Sequence, residues 1–497
     1  MGQDGTDARS LADLGLTASS GQEARITGLA VDSRIVKRGD LFAALPGTQA
    51  HGATFVGGAI ERGAQAILTD AEGARIAGNA LAGSSAALVV TEDPRAALAF
   101  AAALYFAAQP AVMTAVTGTN GKTSVASFTR QIWQALGEAA VNVGTTGVEG
   151  DWEAPLAHTT PEPITLHRVL AEATHAGITH AAMEASSHGL AQRRLDGVRL
   201  AAAGFTNITQ DHLDYHPDFE SYFDAKAGLF TRVLGEDGVA VINVDGSEGP
   251  RMAWIAEEAG HEVIRVGRSD ACALRLVGLR FDTTSQDVRF QWNGQPHQVR
   301  LNLIGGFQAE NVMVAAGLAI ASGADPAELW PVLPRLTGVR GRMQLAATRE
   351  NGAAVFVDYA HTPDALATAL KALRPHVMGR LVCVFGAGGD RDRGKRPLMG
   401  GAVAEFADAA IVTDDNPRGE DPAAIRAAVL AACPEATEVG DRAEAILRGV
   451  DALGPGDALL IAGKGHETGQ VMGDVTYPFD DVEQASVAVA ALDGRVS

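Results

Sequence analysis

Cysteine is scarce. The chain of 497 residues holds three, Cys272, Cys383 and Cys433. They are too widely spaced for a disulfide framework or a metal-binding pair, so a reducing cytoplasm is the expected setting. Positive charge is also short. There are 40 Lys and Arg against 60 Asp and Glu, a formal charge of −20. That balance argues against a nucleic-acid surface but leaves room for a local basic pocket around a small anion. Long apolar runs are missing. The longest, residues 96–108, falls short of the ~20 residues that cross a bilayer and reads as a buried helix. The first ten residues are polar, with no signal-peptide core. Gly2 and Thr6 fit a lipidation pattern too short to carry weight. No nucleic-acid partner and no membrane partner are expected, and a monomer is.

The length fits about three domains. The most informative stretch is Gly118-Thr119-Asn120-Gly121-Lys122-Thr123-Ser124. An apolar, β-prone run precedes it at 111–116, and a run of helical spacing follows at 125–136. A glycine turn between a strand and a helix N-terminus aims backbone N–H groups at one spot, which suits phosphate. Lys122 is placed to reach the terminal phosphates and the Thr123 hydroxyl to bind Mg²⁺. The loop is shorter than the general phosphate loop, because Val116 stands where the first glycine is usual. A plain strand-to-helix turn is the competing reading, which the flanking elements and Thr119-Asn120 outweigh.

Further polar clusters follow. Residues 26–31 and 40–45 read as strands, 55–62 as a helix, 66–69 and 87–91 as strands and 94–107 as a helix. Asp32-Ser33-Arg34 reads as a polar strand end. His158-Thr159-Thr160-Pro161 reads as helix-capping chemistry. Glu184 closes an apolar strand, where a carboxylate beside a phosphate loop suits Mg²⁺. A strand over 201–208 leads into Asp211, His212, Asp214 and His216, which look like a metal cluster. Tyr222, Lys226 and Phe230 share one helix face at a spacing of four. Residues 237–300 read as short strands and turns. Five strand-like runs, 353–357, 380–385, 409–413, 436–439 and 458–462, alternate with helical runs, the pattern of a parallel sheet. Polar clusters end four of them, at 358–364, 386–391, 414–418 and 463–467, as a binding edge requires.

The wording of the phosphate loop resembles that of the Mur ligase family, and the likeness runs over essentially the whole chain; folylpolyglutamate synthetases carry a near relative of the motif. The resemblance implies an α/β protein of three domains. These are a small mixed N-terminal domain over 1–110 binding a UDP-linked substrate, a central P-loop-type ATPase domain over 111–335 with a mainly parallel sheet, and a Rossmann-like C-terminal domain over 336–497 binding an incoming amino acid. It implies ATP contacts from Gly118 to Ser124 and from Asn311, Arg342, Asp358 and His361. Gln308 stands where the family's asparagine is usual, which leaves Asn311 as the expected contact. It implies Mg²⁺ held by Thr123, Glu184, His212 and a CO₂-derived carbamate on Lys226, the catalytic residues being Lys122, Glu184, His212 and Lys226. It implies contacts to a UDP-N-acetylmuramoyl-dipeptide from Val31, Ser33, Thr48, Gln49, Ala50, Thr159, Thr160, Ser186, Gln192 and Arg194. Asp-Asn-Pro-Arg at 415–418 is the form found in members that add meso-diaminopimelate. Arg391, Asp415, Asn416, Pro417, Arg418, Gly463 and Glu467 are the expected contacts to that amino acid. A lysine-adding or folate-extending ligase, or a UDP-sugar sensor without ligase chemistry, are the alternatives.

Overall fold

In the computed structural model, which describes residues 8–21, 23–47, 50–209 and 215–494, the chain divides into two compact units. One comprises residues 1–265 and 317–324, the other 266–316 and 325–497.

The first unit contains two mainly parallel sheets and a short antiparallel strand pair. The N-terminal one takes the order Gly28–Ala30, Asp40–Ala43, Ala66–Thr69, Ala87–Val90. The single strand expected over 26–31 is two. Arg25–Ile26 pairs antiparallel with Arg9–Ser10, and the chain bends at Thr27, whose N–H donates to the Gly39 carbonyl, before joining the parallel sheet at Gly28. Helices Val56–Glu61, Ala71–Leu81 and Pro94–Phe106 complete this layer. Ala71–Leu81 was not legible in the sequence because Gly73 and Gly78 weaken helix propensity. Asp70 caps its N-terminus by accepting from Gly73 N at 2.7 Å.

The second sheet of this unit runs Val239–Asn243, Ala202–Phe205, Val112–Thr117, His180–Glu184, Ala140–Gly144, all parallel, with Gly147–Gly150 antiparallel at its end. The phosphate-loop strand is thus central, flanked by the strands that end at Glu184 and Phe205. Almost every residue of these strands is buried, as a sheet covered on both faces demands. The strand expected over 201–208 stops at Phe205, and Thr206 and Asn207 turn toward the phosphate loop while Ile208 stays buried. Within 237–300 the sequence also hid the helix Gly249–Glu258, because Gly249-Pro250 reads as a turn signal although proline fits a first helical turn.

In the second unit the expected short strands are long: Leu274–Asp282, Ser285–Trp292 and Gln295–Leu301 form an antiparallel meander. A separate sheet has the order Gln344–Thr348, Ala354–Asp358, Ala458–Ala462, Leu381–Phe385, Ala409–Val412, Thr437–Glu438, parallel except for Gln344–Thr348. Its residues alternate between two cores. Ala354, Phe356, Cys383, Phe385 and Leu460 pack on one face, and Val355, Val357, Val382, Val384, Leu459 and Ile461 on the other. The carboxyl ends of four neighbouring strands present the four polar clusters on one edge. Among the described residues, no helix is long and apolar enough to cross a membrane.

Candidate active site

The phosphate loop is built as its residues demand. Gly118 has φ 153°, and an added Cβ would run into the Thr206 hydroxyl, so the position excludes a side chain. Gly121, with φ 87°, precedes the helix Lys122–Ala135. Lys122 Nζ folds back to donate to the carbonyls of Gly118 and Thr119, both at 2.9 Å. The segment 206–209 braces the loop. Thr119 N donates to Asn207 O at 2.8 Å, Asn120 N to Asn207 Oδ1 at 3.0 Å, and Thr206 Oγ1 to Asn120 O at 2.6 Å.

Glu184 and Thr123 meet as expected. Thr123 Oγ1 donates to Glu184 Oε2 at 2.9 Å, and the glutamate is 2% exposed. Thr145 also holds this carboxylate, through its N–H to Oε1 at 2.7 Å and its hydroxyl to Oε2 at 3.3 Å. The sequence did not single out Thr145; its signal was a polar Thr-Thr turn ending a strand two places from the phosphate loop. A buried carboxylate with a threonine hydroxyl is an oxygen donor set suited to a hard divalent cation. Lys226 lies on the same site. Its Nζ donates to Gly118 O at 2.7 Å and sits 4.6 Å from the centre of the Tyr222 ring. The Tyr222 hydroxyl is 3.0 Å from Thr119 Oγ1. Its helix, Phe219–Gly228, gives way to a wider turn over Leu229–Val233, so Phe230 is buried but not on a continuation of that helix. His212, with Asp211 and Asp214, lies outside the described residues. Among those described, no group of three or more His, Cys, Asp or Glu side chains is gathered to hold a metal.

The residues expected at the UDP-linked substrate divide. Thr159, Thr160, Ser186, Gln192 and Arg194 cluster beside Glu184. Thr159 Oγ1 is 3.1 Å from Thr145 Oγ1, Thr160 Oγ1 donates to Glu184 O at 2.9 Å, and Ser186 N donates to Thr160 Oγ1 at 3.0 Å. Arg194 Nη1 donates to Thr160 O at 2.5 Å and Nη2 to Gln192 Oε1 at 2.8 Å. Capping by Thr159-Thr160 is corrected. The helix starts at Pro163, and Glu162 caps it by accepting from Ile164 N and Thr165 N, leaving the threonines free to serve the Glu184 strand end. Val31 and Ser33 follow the Gly28–Ala30 strand. There Arg34 binds Asp32 at 2.6 Å and holds its carboxyl down at about 2. Thr48 and Gln49 lie outside the described residues. Ala50 precedes His51, which is 3.1 Å from Asp70.

In the second unit, Asn311 Nδ2 donates to Gln308 Oε1 at 3.0 Å on the helix Gly306–Ala321, so the departure at Gln308 and the expected contact form one pair. The Arg342 guanidinium stacks 5.0 Å from the Tyr359 ring centre. Asp358 accepts from Met343 N at 2.7 Å and Ala360 N at 2.9 Å. Burial pushes its carboxyl up, against the pull of Arg342 and those donors. His361 Nδ1 is 2.7 Å from Tyr359 O.

The expected amino-acid contacts gather at the neighbouring strand ends. Arg418 Nη1 donates to Gly389 O at 2.9 Å. Asn416 Nδ2 donates to Glu467 Oε2 at 2.9 Å. Gly463 and Pro417 lie in the same cluster, where a Cβ on Gly463 would meet Asp415 Oδ2 at 3.2 Å and one on Gly389 would run into the Pro417 carbonyl. Arg391 is exposed. A pair the sequence did not reveal clamps the loops on either side. Arg396, 3% exposed, donates to Glu420 at 2.8 Å, and Glu420 also accepts from Asp390 N at 2.6 Å, which together hold the Glu420 carboxyl down at about 2.

Three family models match the chain: the Mur ligase family catalytic domain over residues 25–106, the Mur ligase middle domain over 116–319, and the Mur ligase glutamate ligase domain over 341–465. The chain belongs to the Mur ligase family. This Mur ligase has the family's three-domain α/β architecture, with N-terminal, central ATP-binding and C-terminal parts. It is 50% identical over 470 residues to the UDP-N-acetylmuramoyl-L-alanyl-D-glutamate–2,6-diaminopimelate ligase of Bradyrhizobium diazoefficiens, covering 94% of this chain and 95% of the relative. It is 49% identical over 475 residues to the protein of the same name from Caulobacter vibrioides, covering 94% and 96%. A solved structure of a ligase with that name superposes on this Mur ligase with a TM-score of 0.74 and 33% identity, over 98% of this chain and 99% of that one.

Proposed function

We propose that the chain is an ATP-dependent, ADP-forming ligase that joins meso-2,6-diaminopimelate to the D-glutamyl γ-carboxylate of UDP-N-acetylmuramoyl-L-alanyl-D-glutamate, a step of peptidoglycan precursor synthesis. The observation that carries the reading is the meeting of the Gly118–Ser124 loop with the buried Thr123–Glu184 pair and Lys226. The names of relatives about half identical over nearly the full length supply the substrates.

A carboxylate is a poor acceptor for an amine, so it is activated first. One oxygen of the γ-carboxylate attacks the γ-phosphorus of ATP in line, the bond from that phosphorus to the bridging oxygen breaks, and ADP leaves. The amine of diaminopimelate then adds to the acyl-phosphate carbon. The amide forms as inorganic phosphate departs and the nitrogen loses a proton. The loop N–H groups and Lys122 orient the phosphates and stabilise the charge that grows on them. Mg²⁺, held by Thr123 and Glu184 with His212 and a carbamate on Lys226, supplies neutralising charge at the phosphates when bound. Thr159, Thr160, Ser186, Gln192 and Arg194, with Val31, Ser33 and residues 48–50, hold the UDP-linked substrate. Asn311, Arg342, Asp358 and His361 belong to the nucleotide, and Arg391, residues 415–418, Gly463 and Glu467 to the amino acid. The functional domains are 1–110, 111–335 and 336–497, and the enzyme works as a cytoplasmic monomer on small molecules alone, with no nucleic-acid partner.

The test is ADP release by the purified chain with ATP, Mg²⁺ and the UDP-dipeptide across a panel of amino acids. Release that requires both the UDP-dipeptide and meso-diaminopimelate is expected. Release independent of either one, or supported best by lysine or glutamate, overturns the reading.

A further inference from the structure

A lysine between two glycines in a loop ordinarily reaches water. Lys464, in Gly463-Lys464-Gly465, does the opposite: its side chain is 0% exposed. Desolvation pushes its ammonium below the usual lysine range, with the Asp415 charge opposing that shift. Such burial costs several kcal/mol unless partners surround the charge, and here they do. Lys464 Nζ donates to Asn416 Oδ1 and to Gly469 O, both at 2.8 Å. It also lies 3.5 Å from Asp415 Oδ1 and 3.7 Å from Glu467 Oε2.

These contacts fix more than the lysine. Asn416 Oδ1 takes a second hydrogen bond from Val471 N at 2.9 Å, while Asn416 Nδ2 donates to Glu467 Oε2 at 2.9 Å. With two donors facing one end of the carboxamide and an acceptor facing the other, only one orientation of that amide is satisfied. The hairpin strand Gly469–Met472 carries the effect onward. Val471 O accepts from Arg418 N at 3.1 Å, and Arg418 O accepts from Gly473 N at 2.8 Å, in a backbone held at φ 50°. Asp415 Oδ1 is buried without a hydrogen-bond partner, so the Lys464 ammonium at 3.5 Å is the charge that offsets its burial.

We propose that Lys464 is the positioning residue of the amino-acid pocket, one buried ammonium that orients the Asn416 amide and the Glu467 carboxylate and, through the Gly469–Met472 strand, sets the backbone from which Arg418 projects. The inference rests on the diaminopimelate reading and names a residue outside the expected contact set. Without the ammonium, Asn416 loses a donor and the Asp415 and Glu467 carboxylates lose the charge between them, so the incoming zwitterion meets a misaligned and more repulsive surface.

The experiment measures kcat and the KM of each of the three substrates for the full chain, Lys464→Met and Lys464→Gln, with circular dichroism and a thermal melt on each. The expected result for Lys464→Met is a rise of about ten- to hundredfold in KM for diaminopimelate, with KM for ATP and the UDP-dipeptide unchanged. Lys464→Gln keeps a donor for Asn416 and recovers part of that loss. Should Lys464→Met fail to fold, the same selective rise in Lys464→Gln supports the proposal. An unchanged KM for diaminopimelate, an equal rise in all three, or failure of both variants to fold assigns the lysine a purely structural role and overturns it. Wild-type protein without diaminopimelate-dependent ADP release sinks the substrate reading and this inference together. Dependent release with an unchanged KM in the variants sinks the inference alone.

Discussion

Lys122 donates to two carbonyls of its own loop, which keeps its charge on the loop proposed to hold the phosphates. Lys122→Ala is expected to lower ADP release by about 10²-fold or more, the usual cost of removing a charge from a transferring phosphoryl group. Binding of the UDP-dipeptide, followed by calorimetry, is expected to persist. The carbamate proposed on Lys226 leads to a different result. Lys226→Ala loses activity, and a short carboxylic acid at high concentration restores part of it by replacing the missing carboxylate; an acid that restores nothing counts against the carbamate. His167 gives the clearest pH effect. It is 2% exposed, its Nε2 has no hydrogen-bond partner, and burial pushes it down to about 4 from an ordinary value of 6.5, with Arg199 adding to the shift. The unfolded imidazole takes up a proton in this window and the folded one does not. Stability is therefore intact above pH 6.5 and declines as the pH falls toward 4. The full gap is worth at most about 3 kcal/mol. His167→Leu is expected to flatten that decline in a series of thermal melts from pH 7 to pH 4.

Arg442 and Asp481 tie two helices together through a buried ion pair. Arg442 opens the helix Arg442–Asp451, and Asp481 opens Asp481–Leu492. Two hydrogen bonds of 2.7 Å join the side chains, both 0% exposed, and Arg442 Nη2 also donates to Ala462 O at 3.0 Å. Asp481→Ala strands a buried guanidinium, so urea unfolding is expected to show a loss of about 3–5 kcal/mol; Arg442→Met in the same background is expected to return part of it. Nothing in the local sequence announces this pair, since its members are 39 residues apart. The elements themselves were more legible. Apolar β-prone runs marked Ala66–Thr69 and Ala458–Ala462 to the residue. The helix Ala71–Leu81 was hidden by its glycines, and the strand end at Phe205 by the apolar Ile208 beyond it.

Across the molecule, polar strand ends are more legible in the sequence than the contacts that hold them. Strand-end position marks Glu184, together with the phosphate loop beside it, and the 414–418 turn, together with the resemblance carried by Asp-Asn-Pro-Arg. Thr145, Asn207, Lys464 and Arg396 became visible only when distant strand ends met, because each acts through partners remote in the chain. The choice between diaminopimelate and lysine belongs to the whole enzyme, since it is read in the product. The two differ by one carboxylate, which a guanidinium grips with paired hydrogen bonds. On the proposed assignment of Arg418 to that carboxylate, lysine offers it no such partner, and discrimination of about 10⁴-fold in kcat/KM is expected. Arg418→Ala should bring the two substrates close together; a variant that keeps full selectivity shows that another residue selects. The Tyr222 ring carries a further consequence. Its phenol is buried, close to the Thr119 hydroxyl at one end and the Lys226 ammonium over its face. An aromatic chromophore in that position is an optical gauge of charge. Exchanging the positive ammonium for a negative carbamate changes the field across the ring. Ultraviolet difference spectra of wild-type protein and Tyr222→Phe, with CO₂ removed and restored, would read the state of that lysine without any turnover at all.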